Sequence, residues 1–336
     1  MVNYYQIIQD LSGIAYHHPQ INSFGYGDIT QLTMDIETKQ EPVYAKLYVV
    51  PGQVILRENR LNYNFNLIMM DVVNNDLSNQ EEVISDTLET LKDVWTILYQ
   101  SYTATYGGFS IDYEPFRGPN CTPFIEKYET YLAGWTLAIT IEQPFDYNSC
   151  DLPDVDTAFP TNDETYSSYF QVITDFKKFA DGHKQVNSFG WGDITQLTMD
   201  IETEKEPVYP KMYFIPSNSI FDENHMHMTW QVVMLDQLNN DLSNQREVMS
   251  DMLEICKDLF ARAYLSDYQA DWDAVCEPWL ERTETVLAGW TLTMSITQPF
   301  DYNRCVLPET PFVTQNKKWY ELAELWNTIS TVWRKV

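Results

Sequence analysis

The chain has 336 residues, with 21 Lys and Arg against 49 Asp and Glu, and its formal charge of -28 excludes the basic stripe that gripping a phosphate backbone or an anionic membrane surface requires. Hydrophobic residues at 44% and aromatics at 14% exclude a disordered chain. No apolar run approaches the roughly 20 residues of a membrane span, and the opening "MVNYYQIIQD" lacks the basic and apolar regions of a leader, so a soluble, unsecreted, membrane-free protein is expected.

The elements come in two rounds. "SFGYGDITQLTMDIET" from Ser23 returns as "SFGWGDITQLTMDIET" from Ser188, 165 residues later, and only Tyr26 changes, to Trp191. The offset holds from Tyr4 and Tyr169 to Asn75 and Asn240; later matches, such as "LAGWTL" at Leu132 and Leu287, stand 155 apart, so the first copy carries ten extra residues between Tyr99 and Cys121. The expected organisation is a first α+β repeat domain over 1–153, a linker over 154–168, a second repeat domain over 169–308 and a C-terminal amphipathic helix over 309–336. Each repeat is long enough to bury a core of its own.

In chain order, Tyr4, Ile7, Ile8 and Leu11 predict a helix over Tyr4 to Ala15, repeated over Tyr169 to Ala180. The duplicated phrase reads as a Gly-x-Gly turn feeding a strand with Ile29, Leu32, Met34 and Ile36. In "YNFNLIMMD", Tyr63, Phe65, Leu67 and Met69 share one strand face, as do Met228, Trp230, Val232 and Met234 in the second copy. After "NNDLSNQ", a long helix carries Val83, Leu91, Val94 and Leu98, with Ser78 and Glu81 as a capping box; Arg246 replaces that glutamate in the second copy, which predicts a weaker start there. The segments around Trp135 and Trp290 read as a long strand interrupted or turned at Ala-Gly. The fold class is therefore α+β with a mainly antiparallel sheet, twice over.

Catalytic motifs are absent from the sequence: no nucleophile elbow, phosphate loop, His-Glu-x-x-His or dinucleotide fingerprint occurs. No catalytic, cofactor-binding or metal-ligating residue is assigned, and no cofactor is expected. "DVVNNDLSNQEE" lacks the sixth-position glycine and twelfth-position glutamate of a calcium loop and reads as a strand end and helix cap. His225 and His227 could face zinc together but lack a third ligand, and His18 and His183 read as helix C-caps. Gly25, Gly27, Gly190 and Gly192 are read as serving backbone shape. Among five cysteines, Cys121 matches Cys276 and Cys150 matches Cys305; bridges Cys121–Cys150 and Cys276–Cys305 or buried thiols are the alternatives.

The order of helix, strands ending in "LIMMD" or "VVMLD", "NNDLSNQ", long helix, "LAGW" and "QPFDYN" resembles structural proteins of tailed bacteriophages, nearest the tail-completion or tail-terminator type of crAss-like phages. The resemblance covers Tyr4 to Pro153 and Tyr169 to Pro308, and it implies a virion protein, made in the host cytoplasm, that assembles into a ring at the neck between portal and tail. Members of that family are usually single units; a fused pair supplies two adjacent ring positions. An acidic wall suits a channel through which a genome passes, and the same charge also serves solubility. The other function class is a tandem carbohydrate-binding or adhesin-like module using exposed aromatics.

The tail "KKWYELAELWNTISTVWRKV" has no equivalent after the first repeat. Trp319, Leu322, Trp326, Ile329 and Trp333 fall at spacings of three and four and form one apolar ridge, expected to dock. Its own second domain, a ring neighbour and another neck protein are the candidate surfaces; the ridge is assigned to an intermolecular contact.

Overall fold

The structure is a computed structural model that describes residues 3–299 apart from 39–42, 58, 104–113, 116–119, 129, 146–168, 204–207, 222–224, 267, 269, 271–272 and 283–285. The linker, both carboxy-proximal cysteines Cys150 and Cys305, and the ridge of Trp319, Leu322, Trp326, Ile329 and Trp333 lie outside the described residues.

In the first half the order is α1 (Tyr4–His17), β1 (Ser23–Tyr26), α2 (Ile29–Thr38), β2 (Lys46–Arg57), β3 (Arg60–Val73), α3 (Gln80–Thr103), β4 (Glu114–Pro115), β5 (Asn120–Lys127) and β6 (Tyr131–Pro144). The second half runs α4 (Tyr169–Gly182), β7 (Ser188–Trp191), α5 (Ile194–Thr203), β8 (Lys211–Phe221), β9 (His225–Gln237), α6 (Gln245–Tyr264), β10 (Ala274–Arg282) and β11 (Val286–Pro299). The chain is α+β. Among the described residues the strands form one sheet of 11, ordered β4-β6-β3-β2-β10-β11-β9-β8-β7, with β1 added to β2 and β5 to β6. All pairings among the described residues are antiparallel except β1 with β2 and β7 with β8.

Strand alternation decides which side each residue serves. Leu47, Val49, Tyr63, Phe65, Leu67 and Met69 point to the face covered by α1 and α3, where Ile7, Ile8, Leu11 and Val94 meet them. Tyr48, Ile68 and Met70 point to the other face, under Leu32 of α2. Tyr213, Val233 and Leu235 are covered by Leu197 of α5 in the same way. The sheet is thus a middle layer, long helices on one side and the two short ones on the other.

Several expectations need correction. Ile29 to Thr38 is helical, not a strand: Asp28 Oδ1 accepts the Gln31 amide at 2.6 Å and caps the first turn, and Leu32 and Ile36 recur at helical spacing. The strand is the preceding SFGY, and Gly25 within it admits the Tyr48 ring, whose Cδ2 would lie 2.3 Å from an added Cβ. Gly27 and Gly192 sit at φ of +150° and +151°, so these glycines do set backbone shape. Ala-Gly does not turn the strand: β6 runs unbroken through Gly134, where a Cβ would fall 1.9 Å from the Met69 carbonyl oxygen on β3. The capping box fails as well. Helix α3 starts only at Gln80, while Ser78 Oγ accepts Asn74 Nδ2 at 3.0 Å inside the preceding loop.

The two halves do not bury independent cores. One apolar cluster runs from Tyr4, Leu47 and Phe65 to Phe176, Trp230 and Leu292. The cause is edge pairing: Ala274, Val275 and Cys276 of β10 lie opposite Leu56, Ile55 and Val54 of β2, making the two sheets one.

Candidate functional site

The place where chemistry-bearing residues of both halves converge is this junction. At the sheet, Gln53 Nε2 donates to Glu277 Oε1 at 2.7 Å and Arg57 Nε stands 3.4 Å from Asp273. Above it, α6 lies against α1, and the Tyr5 amide donates to Ser250 Oγ at 3.3 Å. The Tyr4 ring meets Trp290 edge-on at 5.4 Å between centroids, and the Tyr4 and Tyr26 hydroxyls are 3.0 Å apart. Lys257, buried, pairs with Glu254 at 2.7 Å and lies 5.6 Å over the ring of Phe145 from the first half.

At the outer rim, the Arg246 guanidinium lies 5.1 Å over Phe24 and 5.8 Å over Tyr26. The residue read as a poor helix start is therefore a clasp between repeats. It borders a cleft of about 320 Å³ lined by Tyr5, Tyr26 and Gln31 of the first half and Asp241, Leu242 and Ser243 of the second. Leu242 holds a left-handed φ of 59°, as Leu77 does at 61° in the first copy. Asp241 Oδ1 accepts the Ser243 amide at 3.1 Å, and these contacts with Ser243 lower its carboxyl pKa. Burial pushes the Tyr26 hydroxyl well above the ordinary phenol range, so it stays protonated. The cleft's described residues include no nucleophile paired with a base.

The other sequence candidates resolve locally. His225 and His227 are neighbours on β9 with ring centroids 6.3 Å apart, and His227 Nδ1 lies 2.8 Å from Thr297 Oγ1. No group of three His, Cys, Asp or Glu side chains suited to a metal occurs among the described residues. His18 caps α1 through its amide, as expected, and its buried ring reaches Asp93 at 3.5 Å; His183 reaches Asp258 at 3.3 Å likewise, so each pair ties the first helix of a half to its long helix. Cys121, Cys256 and Cys276 are free thiols, and Cys256 lies against Cys276. The Gly-x-Gly, expected to feed a strand, instead precedes a helix, but the Asp28 carboxylate already occupies the N-terminus where a phosphate would sit.

Every surface of the junction has an equivalent at the ends of the sheet. Val54 and Ile55 correspond to Ser219 and Ile220 of β8, and Val275 and Cys276 to Asn120 and Cys121 of β5. Burial separates the two sets. Cys276 and Ser250 are buried, whereas Cys121 is half-buried and Ser85 exposed; Tyr26 is 7% exposed, but Trp191 is 56%. Compared with known proteins, the chain matches no family, no curated protein and no solved structure.

Proposed function

We propose that this chain is a structural protein that acts by assembly and not by catalysis, as a ring-forming virion component of a tailed phage at the head-to-tail connector, tail-terminator-like in role. The observation that supports the reading is the β2–β10 junction. It joins one edge of the repeat to the opposite edge of the next, a head-to-tail contact, and such contacts propagate into rings or filaments because each added unit presents the same two edges again. A fold whose halves already associate this way is suited to being a segment of a larger circle. Partners in this reading are further copies of the chain and other neck or tail proteins. The charge of -28 fits a wall past which DNA slides, since an acidic surface repels phosphates over about 8 Å at physiological salt.

Electron microscopy of the purified chain at high concentration tests the reading. Closed annular particles, or ordered incorporation when neck proteins of the parent virion are added, are expected. Isolated single chains that bind glycans through Trp191 and its exposed neighbours would support a binding module instead.

A further inference from the structure

We infer that the outer edge of β8, at Ser219 and Ile220, is the docking surface for β5 of a second copy of this chain, in the register that β2 and β10 adopt inside it. The inference rests on the assembly reading and adds to it the partner, the two strands and the register.

The first observation is the geometry of the unoccupied halves of two strands. Along one edge of β2, Lys46–Val49 takes the short parallel strand β1 and Val54–Leu56 takes β10. Along the matching edge of β8, Lys211–Phe214 takes β7, but among the described residues no strand pairs with the edge at Ser219 and Ile220. On the far side of the molecule, β5 pairs inward with β6 and with nothing outward among the described residues. One chain therefore ends in the two edges that its own interior has already shown to fit. A row of free amides and carbonyls is a ready template for another strand.

The second observation is that the exposed end of β8, Ser217 to Ile220, is uncharged and includes an isoleucine, where an edge left in water would be charged. Ile220 is 58% exposed on β8, and farther along the same edge Trp191, which pairs with Phe214 and stands in place of buried Tyr26, is 56% exposed in the equivalent of the clasp. Neither lysine nor proline blunts Ser219 or Ile220.

The third is a paired substitution. Tyr26 to Trp191 is the one change in the 16-residue phrase, and the residue that covers Tyr26, Arg246, corresponds to Glu81. Both partners of one contact change together. A guanidinium over a tyrosine face is replaced by a carboxylate and an indole, whose N–H can donate to it. The side-chain pair Gln53–Glu277 becomes Asn218 and Thr122, both exposed and still able to hydrogen-bond. The outer contact is the weaker version, forming between chains rather than within one.

The register gives a direct trap. Val54 faces Cys276 inside the chain, so Ser219 would face Cys121 of the neighbour. Opposed residues of an antiparallel pair have Cα atoms about 4.5–5.5 Å apart, within reach of a disulfide. The experiment is Ser219→Cys in the full chain under mild oxidation, alongside Ser219→Cys/Cys121→Ser and wild type, read by non-reducing electrophoresis and peptide mapping. A ladder of covalent multimers joined 219 to 121, lost in the double variant, is expected. A wild type that assembles while Ser219→Cys gives no such ladder would overturn the edge and leave the assembly reading standing. A bridge from 219 to another cysteine of the same chain would place a segment of the same molecule on this edge and overturn the proposal. A wild type that stays a single chain at all concentrations would remove the assembly reading itself.

Discussion

The Arg246 guanidinium lies 5.1 Å over the ring of Phe24, so a residue of the second repeat's long helix is held on β1 of the first repeat. This contact and the β2–β10 ladder fasten the halves at opposite levels, one beside the sheet and one within it. Arg246→Ala removes the cation from one buried and one half-buried ring and is expected to cost about 1–2 kcal/mol. Urea unfolding measures it, and Arg246→Glu, which puts the Glu81 chemistry in that place, should cost more. An unchanged midpoint in both variants would show that the clasp contributes nothing.

Gly289 allows β11 to approach β9 so closely that a Cβ would lie 1.8 Å from the Met234 carbonyl oxygen, as at Gly134 and Met69. Backbone cannot swing aside as a side-chain tip can. Gly289→Ala and Gly134→Ala should each lose about 3 kcal/mol or more, read as a lower thermal midpoint or insoluble expression. Normal melting of both would mean the strands have slack that the packing does not show.

The strand periods were legible in the sequence because burial on a sheet face demands alternation, and Tyr63, Phe65, Leu67 and Met69 obey it in both copies. The phrase after Gly27 was misread because Leu32, Met34 and Ile36 also alternate; the helical spacing of Ile29, Leu32 and Ile36 and the Asp28 to Gln31 capping pattern were the stronger signal. The junction was illegible for a different reason. Val54, Ile55 and Val275 look like any strand residues, and nothing local says which edge they will meet. Only the joint exchange of Tyr26 for Trp191 and Arg246 for Glu81 marked the contact, and it appears as two unrelated changes until the fold brings them together.

Asp28 and Asp193 each accept the amide three residues on, at 2.6 and 2.8 Å, and start α2 and α5. Asp28→Ala and Asp193→Ala should each destabilise by about 1 kcal/mol, with Asn at either position retaining most of it. Chemical denaturation of the alanine and asparagine pairs distinguishes a cap from a mere surface charge, because the charge is lost in both.

Asp251 on α6 has its carboxyl pKa raised above the usual 3.8, first by burial and then by Glu247, Asp236 and Glu254. A raised acid pKa in the fold means the folded chain holds the proton more tightly. Its contribution is thus favourable below about pH 4 and is lost as pH rises from 3.8 through the raised value. Asp251→Asn should therefore stabilise the protein at pH 7, by roughly 0.2–1 kcal/mol given its partial exposure, and not at pH 3.5. Thermal melts at the two pH values check the sign, and destabilisation at pH 7 would contradict it.

Sedimentation velocity of the intact 39.4 kDa chain over a concentration series, beside Ile220→Lys, tests most directly the claim that it works by edge-to-edge assembly. Species at multiples of 39.4 kDa are predicted for the wild type, dissociating in the lysine variant while its circular dichroism is unchanged. A wild type that sediments as one chain up to the highest concentration, indistinguishable from Ile220→Lys, would contradict the account.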